Sequence, residues 1–433
     1  METAVKGKSR VLSGMRPTGR LHIGHYFGAL QNWVRLQNDP AYECFYFIAD
    51  WHALTSDYAD TSAVAENTLQ IMIDYLAAGL DPQKSVLFQQ SLVPEHAELH
   101  LLLSMVTPLG WLERVPTYKE ALENVKDKDL HNYGFLGYPV LQCADIVIYS
   151  SPDIAGLFVP VGEDQVSHVE ASREIVRRFD FFYGLRINRD LFLPANFADY
   201  CTALKQLRVV KTLREIVDSS FESPEASAAI KTSILRKYAT EIGMQNFFDE
   251  VKEYRKYFEF TEVLTEPQHM LTHTPRIPGL DGRKMSKSYG NTITLSESDA
   301  DMRAKTKVMV TDPARKRRTD PGNPDVCPVY DWHKLFSTKQ TLEWAAQGCR
   351  TAGIGCIECK AKMADHLIEW ITPVRERRVK WEKNQKGVLE ILDAGSKKAR
   401  VVAQGTMERV REAVFGWEKK KKEIDGSAGS AKA

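Results

Sequence analysis

The 433 residues predict an α/β fold with a doubly wound parallel sheet and a helical C-terminal region. Three observations carry that reading. Strand and helix signals alternate from 10 to 190, as β-α-β units with right-handed crossovers require. The stretch 44–49 (CFYFIA) is continuously apolar, the mark of a parallel strand covered on both faces. From 300 onward the periodicity is helical to near the end of the chain.

The elements follow in order. Arg10, Val11 and Leu12 read as a short buried strand that ends at Ser13 and Gly14. A helix over 21–37 has Leu21, Tyr26, Leu30 and Trp33 close to helical spacing. After the strand at 44–49 come a helix over about 63–79 and a strand at 85–89 (SVLFQ). Pro139 suits the first turn of another helix, which places Tyr138, Gln142 and Asp145 on one face. Residues 159–165 (VPVGEDQ) form a further strand-end turn. Ligands in such sheets bind outside the carboxyl ends of the strands, so the segment after each strand is where chemistry is expected. Residues 191–270 change character and read mostly as helices with polar faces, with 10 Lys/Arg against 12 Asp/Glu.

Composition narrows the class. Hydrophobic residues make up 43% and charged residues 27%, which excludes a disordered or fibrous chain. With 58 Lys+Arg against 57 Asp+Glu the net charge is +1, so a globally cationic nucleic-acid glove is excluded. A local excess of 15 Lys/Arg over 7 Asp/Glu lies within 371–422, a basic face or a solvated helix surface. Seven cysteines argue against a secreted disulfide scaffold. The start METAVKGKSR has no apolar run behind it, so no signal peptide is visible. No stretch of 18 uncharged apolar residues occurs, and no membrane span is expected. The expectation is a cytoplasmic enzyme.

Two short segments carry the chemistry. The first, 13–25 (SGMRPTGRLHIGH), is a Gly- and Pro-bearing turn that opens into a helix, whose free N–H groups favour a phosphate chain. His22 and His25 stand three apart and can face one place, and Gly24 between them lets a flat base approach the backbone. The second, 279–288 (GLDGRKMSKS), places Lys284 and Lys287 on a Gly- and Ser-flanked loop able to close over a triphosphate and stabilise departing pyrophosphate. Between them Asp145 lies among Val140, Leu141, Ile146, Val147 and Ile148. A carboxylate there is expensive to bury without a partner, and it accepts either a backbone amide or a ligand's N–H. An indole offers a donor only.

The order HIGH then KMSKS resembles the class I aminoacyl-tRNA synthetases, and residues about 10–180 and 272–418 are similar to the tryptophanyl-tRNA synthetases of bacterial type. The segments that carry the likeness are SGMRPTGRLHIGH, ADWHALT, RVPTYKE, YPVLQCADI, VPVGEDQ and GLDGRKMSKS. The resemblance implies a Rossmann-like catalytic domain over 9–188 and 272–300, with a small helical portion at about 92–150. It implies a mostly helical insertion over 189–271, a helical tRNA- and anticodon-binding domain over 301–418, and a disordered tail over 419–433. His22, His25, Lys284 and Lys287 are the catalytic group it implies. ATP, as its Mg2+ complex, is expected at Arg16, Pro17 and Thr18, at Gly24 and His25, at Gly162, Glu163 and Asp164, and at Lys284, Met285, Ser286, Lys287 and Ser288, with Ile277 against the adenine. Arg16 stands where many family members have glutamine. Tryptophan is expected on Asp145 through its indole N–H, with Tyr138, Gln142, Gln165 and His52 around it. The implied reaction forms tryptophanyl-adenylate and pyrophosphate, then transfers tryptophan to the terminal 2′-hydroxyl of tRNA(Trp), and the implied assembly is a homodimer. A tyrosyl-tRNA synthetase, another HIGH-type nucleotidyltransferase and a non-catalytic tRNA-binding iron–sulfur regulatory protein are the competing readings.

Cys327, Cys349, Cys356 and Cys359 fall within 33 residues, where an even spread of seven puts about half a cysteine. Four thiolates suit tetrahedral zinc or a [4Fe–4S] cluster, and spacing alone does not choose. A subset of bacterial tryptophanyl-tRNA synthetases carries an iron–sulfur cluster on a similar spacing, one residue longer in the first gap. The resemblance therefore implies [4Fe–4S], with Zn2+ as the alternative. Cys44, Cys143 and Cys201 read as core packing.

Overall fold

The computed structural model describes residues 7–116, 118, 119, 122, 130–193, 195, 196, 224–272 and 277–430. Five parallel strands form the central sheet: β1 (Ser9–Met15), β2 (Tyr42–Ile48), β3 (Ser85–Gln89), β4 (Leu157–Val161) and β7 (Pro267–Leu271), in the order β3-β2-β1-β4-β7. The order reverses beside β1, which makes the β1–β4 crevice the place where such a sheet opens to a ligand. Side chains alternate across the sheet with period two. Val11, Cys44, Tyr46 and Leu87 point into one core, and Leu12, Phe45 and Phe88 into the other.

On the first face pack α1 (residues 23–37) and α3 (Val64–Ala78), joined by α9 (Asp299–Val308), α10 (Pro328–Phe336) and α12 (Cys356–Glu382). Helix α1 follows β1 in three parts, Ile23–His25, a π-helical Tyr26–Leu30 and Gln31–Gln37. On the second face pack α4 (Glu95–Ser104), α5 (Tyr138–Val147) and α6 (Val166–Tyr183). Two further helices, α2 (Asp50–Asp57) and α11 (Lys339–Arg350), lie after β2 and before α12.

The C-terminal helices belong to the same body as the sheet. Helix α13 (Gln385–Phe415) lies along the edge strand β3 and contributes to both cores. The N–H of Gln89 donates to Ser396 Oγ at 3.2 Å, so the helix satisfies a sheet edge that solvent otherwise meets. A β-carbon at Gly395 lies only 1.8 Å from the Leu87 carbonyl oxygen, and this approach demands glycine. Buried Arg378 of α12 pairs with buried Asp74 of α3, and Asp74 in turn accepts the N–H of Leu21 at 2.9 Å.

The expected insertion has a core of its own. Helices α7 (Pro224–Ile242) and α8 (Met244–Val251) and an antiparallel pair, β5 (Leu185–Ile187) with β6 (Phe258–Phe260), enclose Phe181, Leu235, Phe247 and Val251. The polar faces read from sequence are the outer halves of amphipathic helices. Residues 419–430 also depart from expectation. They continue in α14 (Trp417–Ser430), restarted after the left-handed Gly416 and helped by a Glu418–Lys421 pair of helical spacing. Residues 431–433 and Cys201 lie outside the described residues. Among the described residues no helix is long and apolar enough to cross a membrane.

Candidate active site

A cavity of about 710 Å³ opens at the carboxyl ends of β1 and β4, walled on one side by α5. All five side chains expected around the amino acid line it: His52, Tyr138, Gln142, Asp145 and Gln165. Arg16 and Gly162, expected at the nucleotide, line the same cavity. The helix turn read from Pro139 holds, since α5 runs Tyr138–Val147 with proline in its first turn.

Asp145 is buried and well supplied with donors. Gln90 Nε2 lies 2.8 and 2.7 Å from its two oxygens, His96 Nδ1 lies 2.6 Å from Oδ1, and His52 Nε2 lies 2.9 Å from Oδ2. Burial pushes the carboxyl up, but the hydrogen bonds and charges of His52 and His96 outweigh it and hold it at about 2. Asp145 is therefore an acceptor-only carboxylate at neutral pH. Gln90 and His96 were missed in the sequence. They stand 55 and 49 residues before Asp145, just past the end of β3, and only the strand-end position marks them. His168 on α6 was missed too. It lines the cavity with its ring 5.7 Å from that of Tyr138.

The end expected to take the nucleotide is where the second signature lies against the first. The N–H of Ile23 donates to Ile293 O at 3.0 Å, and that of Leu295 to Leu21 O at 2.9 Å, so the segment after the KMSKS loop is pinned to the HIGH segment. Lys287 Nζ donates to the carbonyls of Gly19 and Thr18, at 2.7 and 3.2 Å. Burial lowers its pKa to about 8. The rings of His22 and His25 lie 3.7 Å apart, and a β-carbon at Gly24 meets the His22 ring at 2.9 Å. Burial, then the charge of Lys287, lowers His22 to about 4, while burial drives His25 well below its usual range. Both rings are neutral at pH 7. The π-helical turn begins directly after His25, where a distorted turn often serves a site.

Asn291, also missed, organises the loop. Its side chain accepts the N–H of Ser286 at 2.8 Å and donates to Asp281 at 2.7 Å and to the Lys284 carbonyl at 3.1 Å. Lys284 is exposed, and Met285 and Ile277 are buried in the core behind it. Pro17 is buried, whereas Thr18 and Glu163 are exposed. The side chains of Asp164 and Ser288 lie outside the described residues. Arg16 is tied to the end of α2, 2.5 Å from Ser56 Oγ and 3.2 Å from Asp57 Oδ2.

Cys327 caps α10, Cys349 lies in the last turn of α11, and Cys356 and Cys359 lie in the first turn of α12. Their sulfurs feel one another. Burial, then Cys327, Cys349 and Cys356, push the Cys359 thiol up to about 12. Cys359 Sγ lies 3.4 Å from His333 Nε2, and Arg315 Nη1 lies 3.9 Å from Cys349 Sγ. Among the described residues, however, no group of three or more His, Cys, Asp or Glu side chains is arranged to hold a metal ion. The four cysteines come into one neighbourhood, but a closed single-ion tetrahedron is not formed.

The family model of class I tRNA synthetases for tryptophan and tyrosine matches residues 4–194 and 245–372. It leaves 195–244 unmatched. A tryptophan–tRNA ligase of Ralstonia nicotianae is 49% identical over 408 residues, covering 94% of this chain and 98% of that protein. One of Thermotoga maritima is 42% identical over 406 residues, covering 94% and 98%. Among solved structures, the tryptophanyl-tRNA synthetase of Campylobacter jejuni complexed with ADP and tryptophan is 28% identical with a TM-score of 0.67, covering 94% of this chain and 99% of that one.

Proposed function

The chain belongs to the class I tRNA synthetases of the tryptophan and tyrosine group, and from that premise we infer that it is a tryptophan–tRNA ligase. It activates L-tryptophan with Mg·ATP and transfers the amino acid to tRNA(Trp). The observation that carries the choice of amino acid is Asp145, a buried carboxylate at the wall of an otherwise largely apolar cavity, ready to accept an indole N–H.

Tryptophan lies in the cavity between Tyr138, Gln142, Gln165 and His52, with its carboxylate towards the ends of β1 and β4. ATP lies along the turn from Arg16 to Thr18, over Gly24 and beside Gly162, with Glu163, Asp164 and Ile277 at its nucleoside end. The tryptophan carboxylate attacks the α-phosphorus, the bond to the bridging oxygen breaks, and pyrophosphate departs. Neutral His22 and His25 offer hydrogen bonds to phosphate oxygens without adding charge. Lys284 and Lys287, with the loop of Met285, Ser286 and Ser288, meet the charge that develops on pyrophosphate. No general base is needed, because positioning and charge stabilisation do the work. The 2′-hydroxyl of the terminal adenosine then takes the aminoacyl group from the adenylate.

Three finer readings join this one. We propose a [4Fe–4S] cluster on Cys327, Cys349, Cys356 and Cys359, with Zn2+ as the alternative. Its support is the mutual electrostatic reach of four clustered thiols, and it serves as a structural brace rather than a reactant. Iron and sulfide analysis of anaerobically purified protein tests it. We propose a homodimer, supported by the exposed apolar side chains Leu101, Met105, Leu109 and Tyr133 on and after α4. The reaction is placed in the cytoplasm, where tRNA is charged for translation.

Amino-acid-dependent ATP–pyrophosphate exchange tests the assignment. Exchange with tryptophan and none with tyrosine is expected. Exchange with tyrosine alone overturns it, and so does the absence of both.

A further inference from the structure

Among the described residues three side chains donate to Asp145, and two of them do not line the cavity. His96 and Gln90 are fully buried and stand behind the carboxylate, whereas His52 lines the cavity. Gln90 has its amide orientation set from the other end, because its Oε1 accepts the N–H of Trp51 at 3.1 Å. His96 is held at both nitrogens, Nδ1 to Asp145 Oδ1 at 2.6 Å and Nε2 to the hydroxyl of Tyr149 at 2.9 Å. The rings of Phe47 and Phe88 flank it with centroids at 6.2 Å.

A carboxylate only accepts, so Nδ1 of His96 carries a hydrogen in either protonation state of the ring. Tyr149, itself fully buried, can donate to Nε2 or accept from it and fixes the ring in both cases. Asp145 therefore has two permanent donors at its back. Its third donor, His52 at Oδ2, sits on the side from which a substrate arrives.

We propose that His96 is a positioning residue for amino-acid specificity, which with Tyr149 behind it locks the carboxylate of Asp145 so that Oδ2 meets a ring N–H in the cavity. His52 is the donor that this N–H displaces or joins. The inference rests on the reading of the cavity as a tryptophan site, and it adds a cause for the fixed direction of the acceptor.

Pyrophosphate exchange by the full-length protein tests it, with tryptophan compared against benzothienylalanine, in which sulfur replaces the indole N–H. In His96→Leu the KM for tryptophan is expected to rise about tenfold while kcat and the KM for ATP stay within about twofold. The preference in kcat/KM for tryptophan over the sulfur isostere is expected to fall about tenfold. His96→Asn restores an amide donor near the Nδ1 position and is expected to recover most of that preference. If His96→Leu does not fold, Tyr149→Phe carries the test, with an expected fall in preference of about threefold. An unchanged preference in the folded variants, or equal losses for tryptophan and ATP without rescue by asparagine, overturns the proposal. A wild-type protein that shows no preference for tryptophan over the isostere overturns instead the tryptophan reading on which it rests.

Discussion

Lys287 holds its ammonium group against the carbonyls of Thr18 and Gly19, and burial lowers its pKa to about 8. The group is charged below that value and neutral above it, so attraction for a triphosphate weakens as pH rises through about 8. Exchange rates at subsaturating ATP report the free enzyme, and kcat/KM for ATP is expected to fall over this interval. Lys287→Arg should carry the fall to higher pH, because a guanidinium keeps its proton. A profile flat from about pH 7 to 9.5 in the wild type contradicts this assignment. At this scale much of the site was legible. His22, His25, Lys284, Lys287 and Asp145 announce themselves by residue type and local spacing. Gln90, His96 and His168 do not, because their partners lie on other elements and chain order carries no trace of the approach; Asn291 does not because its bonds depend on how the loop folds back on itself.

Among the elements, α13 shows most clearly what packing adds to propensity. Alanine normally improves a helix over glycine by about 0.5–1 kcal/mol. At Gly395 the added carbon lies 1.8 Å from the Leu87 carbonyl oxygen, so helix and strand must part. Gly395→Ala is expected to destabilise the protein by about 1–3 kcal/mol, the usual cost of overpacking. Urea denaturation measures it, and a midpoint unchanged or raised sinks the account of this edge. The strand at 44–49 was legible because a doubly covered parallel strand must be continuously apolar. The π-helical turn of α1 was not, since it leaves the hydrophobic spacing of Tyr26, Leu30 and Trp33 nearly helical. Nor was the satellite core around Phe247, which joins Phe181, from the helix before the segment, to Leu235 and Phe258 within it.

For the whole molecule, the basic excess in 371–422 divides into two parts. Its arginines largely hold the body together: Arg378 on Asp74, Arg375 on Asp299, Arg400 on Glu95 and Arg411 on Glu98. Its lysines, among them Lys380, Lys383, Lys386, Lys397 and Lys398, are exposed. The pair Arg378–Asp74 also joins α12 to the segment just before His22, so the helices that bear the cysteines are braced against the nucleotide end. The cysteines themselves lie on α10, α11 and α12 and line no part of the cavity. Cys356→Ser is expected to weaken tRNA charging while sparing tryptophan-dependent exchange. Equal collapse of both reactions in a protein that still folds contradicts a bracing role.

Asp145→Asn in pyrophosphate exchange reaches the centre of the account. Asparagine keeps the shape but turns an N–H towards His96, Gln90 or the indole, where every neighbour is already a donor. The expected result is a fall in kcat/KM for tryptophan of about a hundredfold or more, with the KM for ATP within about threefold of wild type. A folded variant whose kcat/KM for tryptophan stays within about threefold of wild type would contradict recognition through this carboxylate.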